Sequence, residues 1–142
     1  MKIKILLADD EEDFIKTLAQ RLELRDLSIT TVFSGESAIA MAEKIDFDVI
    51  ILDVAMPEIS GIDALQEIKK FKPLTPIIML TGEATVQNAI KGMKLGAFDF
   101  LMKPADTELL VEKITQAYAL KQEHDERIRQ AEIDNILKTR GW

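Results

Sequence analysis

Two runs, Val49-Ile50-Ile51-Leu52 and Ile77-Ile78-Met79-Leu80, contain no polar side chain. A strand with one wet face alternates apolar and polar residues. A short continuous apolar run instead suits a strand covered on both faces, as in a parallel sheet between two helical layers. Five β-like segments are present: Lys2–Ala8, Ser28–Phe33, Asp48–Leu52, Pro76–Thr81 and Phe98–Met102. Between and after them, apolar residues fall at helical spacing. The first such segment has Phe14, Leu18 and Leu22, and the second Ala38, Ile39 and Ala42. The third has Leu65 and Ile68 after Gly61, and the fourth Val86, Ala89, Ile90 and Met93. The fifth opens at Asp106-Thr107-Glu108 and carries Leu110, Ile114 and Ala117 on one stripe. Strand and helix alternating five times predicts a doubly wound α/β sheet, and right-handed crossovers leave few topologies open.

At 142 residues the chain is long enough for one domain with a sizeable core. Its apolar runs are too short to span a bilayer, so no membrane insertion is expected. The first residues lack the basic, apolar and small-residue pattern of an export signal, which points to a cytoplasmic protein. Cysteine is absent, excluding disulfides and thiolate metal sites. A net charge of -7 argues against direct nucleic-acid binding, which needs a basic footprint. The chain divides into a domain over 1–120 and a charged helical extension over 121–142. The extension's five basic and five acidic residues balance, and it reads as a continuation of the last helix, frayed at its end.

In open α/β sheets, chemistry gathers beyond the carboxyl ends of the strands. The residues at those ends are Asp9-Asp10, Asp53, Thr81 and Lys103. Any single aspartate there can be a turn former or a helix cap. Three sharing one pocket repel one another, and a hard divalent cation relieves that repulsion. Magnesium, with manganese as a substitute, suits so open an oxygen site. A carboxylate beside such an ion can attack phosphorus and form an acyl phosphate. Catalysis is then largely positioning and charge neutralisation, to which a lysine and a hydroxyl contribute.

The ordered set Asp9-Asp10, Asp53, Met56-Pro57, Gly61, Thr81-Gly82, Phe100 and Lys103-Pro104 resembles the response-regulator receiver family over about residues 1–120. The resemblance implies a flavodoxin-like strand order 2-1-3-4-5 with five helices, the last of them extended. It makes Asp53 the phosphoryl acceptor. Asp9, Asp10 and Asp53 become the metal carboxylates, with the Ala55 backbone carbonyl as a further ligand. Lys103 would pair with the phosphoryl oxygens, Thr81 would donate to one of them, and the bond before Pro104 would be cis. Thr81 and Phe100 are the implied switch residues, acting on the face built from the fourth helix, fifth strand and fifth helix. Ala55 and Glu83, two positions beyond Asp53 and Thr81, would modulate rates. Met56-Pro57 and Gly61 are expected to shape the loop after Asp53, the proline by fixing φ and the glycine by freeing it. Gly96 is expected to end the fourth helix in a left-handed cap.

The resemblance implies a phosphoaspartate-accepting signalling module and not a turnover enzyme, with at most slow autophosphorylation and autodephosphorylation expected. The implied partners are a sensor histidine kinase or phosphotransfer protein, with a homodimer through the switch face or the helical tail as a further expectation. One alternative is the receiver portion of a longer regulator. A second is a magnesium-dependent aspartyl-phosphate phosphatase, disfavoured because Asp9 and Asp10 are adjacent and not two positions apart. A third, a flavin-binding protein, is disfavoured because Asp9-Asp10-Glu11-Glu12 would repel a phosphate.

Overall fold

A computed structural model of the chain describes residues 2–82 and 85–139. Its elements run β1 (Ile3–Ala8), α1 (Glu12–Glu23), β2 (Leu27–Val32), α2 (Gly35–Lys44), β3 (Val49–Leu52), α3 (Gly61–Phe71), β4 (Ile77–Thr81), α4 (Val86–Lys94), β5 (Asp99–Met102) and α5 (Thr107–Thr139). The five strands form one parallel sheet in the order β2-β1-β3-β4-β5. The predicted strands therefore stand, with ends moved by about one residue.

Both faces of the sheet are covered, which explains the unbroken apolar runs in β3 and β4. Alternate residues enter opposite layers. Ile50, Leu52, Ile77 and Met79 pack with α2 and α3 through Ala38, Ala42, Leu65 and Ile68. Ile51, Ile78 and Leu80 pack with α1 and α5 through Ile15, Leu22, Leu110, Ile114 and Ala117. Full burial of each leucine, isoleucine or methionine among them stabilises the fold by about 1.5–3 kcal/mol.

Helix starts follow local chemistry. Ser34, Ser60 and Thr85 accept the backbone N–H groups of Ser37, Asp63 and Asn88 at 3.1, 3.1 and 3.0 Å, capping α2, α3 and α4. Gly96 has a φ of 105° just beyond α4, the left-handed cap that its position predicts.

One expectation changes. The apolar stripe Val86, Ala89, Ile90 and Met93 does not make a core face. Val86, Ile90 and Met93 are exposed and Ala89 is half-buried, while the only buried residue of α4 is Gly92. A Cβ added at Gly92 would lie 3.4 Å from Ile62 Cδ1 and 3.8 Å from the Phe100 ring. The helix thus meets the sheet through its smallest residue and turns its larger ones outward.

α5 runs unbroken for 33 residues. Beyond Ala117 it buries no residue. That stretch is supported by pairs along its own surface, among them Arg127 with Glu123, Arg129 with Glu126 and Lys121 with Asp125. The predicted fraying falls on residues 140–142, outside the described residues.

Candidate functional site at the carboxyl edge of the sheet

Parallel strands deliver their carboxyl ends to one edge, and the register fixes which ends are neighbours. Ala8 pairs with Leu52, so Asp9 and Asp53 emerge side by side. The Asp53 N–H donates to the Ala8 carbonyl at 3.0 Å, and the Asp9 N–H to the Val32 carbonyl at 3.2 Å. Thr81 ends β4, and its carbonyl accepts the Lys103 N–H at 2.8 Å, bringing the segment after β5 to the same edge. The Lys103–Pro104 bond is cis, as the resemblance implies.

The side chains converge. Carboxylate oxygens of Asp9, Asp10 and Asp53 all lie within 4.8 Å of one another, with Asp9 and Asp53 buried and Asp10 exposed. Lys103 Nζ lies 2.6 Å from Asp9 Oδ2, 3.0 Å from Glu11 Oε1 and 3.5 Å from Asp53 Oδ2. It also stands 4.4 Å from the centre of the Phe14 ring, a favourable cation–π position. Burial raises the Asp9 pKa above its ordinary value, and the Asp53 charge adds to this; bonds from Lys103 and the Glu11 N–H offset it only in part. For Lys103, burial alone would lower the pKa. Its bonds to Asp9 and Glu11, with the charges of Asp9 and Asp53, outweigh that and raise it.

Asp53 Oδ1 is buried and has no hydrogen-bond partner among the described residues. Buried carboxylate oxygens are rarely left so. A buried carboxylate with an orphaned acceptor, clustered with two further carboxylates, is a donor set fitted to a hard, oxygen-seeking cation, and Asp9, Asp10 and Asp53 could hold one.

The loop after β3 is tightly wound. The Val54 carbonyl accepts both the Met56 N–H at 3.2 Å and the Gly61 N–H at 2.8 Å. Met56 is buried, Ala55 and Pro57 are exposed, and the left-handed residue is Glu58, with a φ of 66°. Gly61 is the first residue of α3 and needs no left-handed φ. A Cβ there would overlap the Asp53 carbonyl oxygen. The glycine is required for close approach, which corrects the expectation that it frees φ.

Thr81 is fully buried. Met79 pairs with Phe100 and Thr81 with Met102, so Thr81 and Phe100 lie on one face of adjacent strands, a diagonal step apart. Phe100 is half-buried and packs against the α2–α3 layer. Glu83 lies outside the described residues. The predicted Asp9, Asp10, Asp53 and Lys103 are thus brought together. Glu11 and Phe14 also reach Lys103 and were not anticipated. The only sequence signal for Glu11 is adjacency to the aspartate pair, and Phe14 reads only as part of the first helix's apolar stripe.

Comparison with known proteins agrees with this geometry. Residues 5–115 match the response regulator receiver domain family. The chain is 36% identical over 118 residues to the transcriptional regulatory protein ZraR of Salmonella typhimurium, covering 83% of this chain but 27% of that regulator. The chain thus spans about a quarter of the length of that relative. A solved receiver domain from Clostridium thermocellum is 36% identical with a TM-score of 0.80, covering 84% of this chain and 96% of that one. A Burkholderia pseudomallei response regulator, solved with a phosphorylated aspartic acid, a calcium ion and citrate, is 26% identical with a TM-score of 0.76. That match covers 99% of this chain and 86% of that one. No helix among the described residues is long and apolar enough to cross a membrane.

Proposed function

Because the chain belongs to the response regulator receiver domain family, we propose that Asp53 is its phosphoryl acceptor in a magnesium-dependent two-component signalling step. Receivers of this family are phosphorylated by partner kinases. The donor here is a sensor histidine kinase or a phosphotransfer protein. Asp53 attacks phosphorus, a P–O bond to its carboxylate forms and the donor's P–N bond breaks. The leaving imidazole keeps the electron pair and takes a proton from solvent.

One observation carries this reading: three carboxylates meet within 4.8 Å while Lys103 Nζ stands 3.5 Å from Asp53. Asp9, Asp10 and Asp53, with the Ala55 carbonyl, would hold magnesium or manganese, whose charge offsets that of the transferring oxygens. Lys103 pairs with one phosphoryl oxygen, and Thr81 donates its hydroxyl to another. Movement of Thr81 would reach Phe100 along the shared sheet face, and through Phe100 the close contact at Gly92 on α4. The α4–β5–α5 face is therefore the proposed signalling surface, and phenylalanine fills the switch position without a hydroxyl to anchor an inward rotamer. Ala55 and Glu83 remain rate-modulating candidates.

The chain acts as a switch with at most slow autodephosphorylation, in the cytoplasm. A role as the receiver portion of a longer regulator is supported by the short span of ZraR that it covers. The test is acetyl phosphate with magnesium followed by intact mass. One phosphoryl group is gained, the gain is blocked by chelator, and Asp53→Ala abolishes it. Modification that persists in Asp53→Ala overturns the assignment.

A further inference from the structure

The helix that follows the aspartate pair is capped unlike its neighbours. Serine or threonine hydroxyls cap α2, α3 and α4, but α1 opens on Glu11, whose side chain makes no capping bond. The Glu11 carboxylate is committed elsewhere, 3.0 Å from Lys103 Nζ, while the Glu11 N–H donates to Asp9 Oδ1 at 2.9 Å. Asp9, Lys103 and Glu11 therefore close a ring of polar contacts beside Asp53.

Within that ring Lys103 is not centred on the acceptor. Its separations are 2.6 Å to Asp9, 3.0 Å to Glu11 and 3.5 Å to Asp53, the last being the longest. An ammonium has three donors, and here three carboxylates face them. A phosphoryl group on Asp53 brings new anionic oxygens that need at least one of those donors. Asp9 and Asp53 are buried and fixed, whereas the Glu11 side chain is 63% exposed and can turn into water at little cost.

We infer that Glu11 is a positioning residue that holds Lys103 toward Asp9 while Asp53 is unmodified and releases it to an anion arriving on Asp53. The inference rests on the phosphoacceptor reading of Asp53. The Glu11–Lys103 contact then sets how readily the site accepts a phosphoryl-like anion. Neutralising Glu11 frees a donor and removes a negative charge from the anion's approach, and both effects have the same sign.

The test is a titration of the full chain with beryllofluoride, a phosphoryl mimic, in saturating magnesium, followed by fluorine NMR. Glu11→Gln is expected to tighten binding about three- to fivefold, the scale of an exposed ion pair. Glu12→Gln removes the same charge one residue further on, from a side chain that makes no ion pair with Lys103, and is expected to change binding by less than about twofold. Glu11→Asp keeps the charge but shortens the reach, and falls between the two. Loss of a negative charge beside the metal carboxylates is expected to weaken magnesium binding slightly in Glu11→Gln and Glu12→Gln, so each form is titrated at its own saturating magnesium concentration. If Glu11→Gln binds no tighter than Glu12→Gln, this inference fails alone. If no form binds beryllofluoride while magnesium still binds, the phosphoacceptor reading fails and takes this inference with it.

Discussion

Gly61 sits directly against Asp53: a Cβ on the glycine would overlap the aspartate's carbonyl oxygen and come within 2.9 Å of the Val54 Cα. The start of α3 and the proposed acceptor are therefore one packed unit. Gly61→Ala must push the two apart, and forced overpacking of this kind costs about 1–3 kcal/mol. Urea unfolding measures that loss. Acetyl-phosphate labelling of the same variant is expected to slow at least tenfold, because the Asp53 carboxylate moves with its backbone. Labelling at the wild-type rate would mean that α3 gives way instead.

Lys103 is the only cation within ion-pair distance of Asp9 and Asp53 among the described residues. Lys103→Met leaves two buried carboxylates facing each other. Breaking a buried pair in this way costs on the order of 3 kcal/mol. Millimolar magnesium is expected to return part of that loss, since a bound cation takes over the neutralisation. Unfolding curves with and without magnesium decide the matter, and an equal loss in both would argue against a shared cation site.

Asp9 provides the pH dependence. Its folded pKa lies above the ordinary value of 3.8, chiefly because burial disfavours the charged form. Between 3.8 and that raised value the folded state binds more protons than the unfolded state, so stability falls as pH rises through the window. Above that window the ionised Asp9 is then a net burden without a metal. Asp9→Asn is expected to be more stable than wild type at pH 7 in chelator, with the difference shrinking as pH falls through that window and levelling off below about 3.8. It is also expected to lose most of the stabilisation that magnesium gives the wild type. Paired urea titrations at the two pH values read both effects.

The outer part of α5 contributes little to the core. Past Tyr118, which packs half-buried against the α1–α5 core layer, no residue of the helix joins the core, and Lys121 lies 3.8 Å from Asp48 at the sheet end. A chain ending at Leu120 is expected to lose less than about 1 kcal/mol, a shift in Tm of roughly 4 °C or less. Sedimentation of both forms across a concentration range shows whether residues beyond Leu120 pair two copies.

The legible parts of the molecule are those governed by local rules. Val49–Leu52 and Ile77–Leu80 announce double-sided burial directly, and their ends place Asp53 and Thr81. The strand order came from the family resemblance, because periodicity leaves several topologies open. α4 was harder to read: Val86, Ile90 and Met93 share the spacing of a core stripe, and only the closeness of Gly92 to Phe100 shows which side faces inward. Glu11 was missed because its partner Lys103 lies 92 residues away. No pattern within α1 reports that contact, and the absent cap is visible only once the side chain has been placed.

The sparse seating of α4 has an energetic meaning. A helix whose one fully buried residue is a glycine gives up little hydrocarbon burial when it shifts, at about 25 cal/mol for each Å² uncovered. Its position can therefore be biased by a perturbation as small as one rearranged hydrogen bond, while the strands beneath, locked on both sides by branched side chains, stay where they are. The molecule keeps its rigidity and its pliancy in adjacent layers.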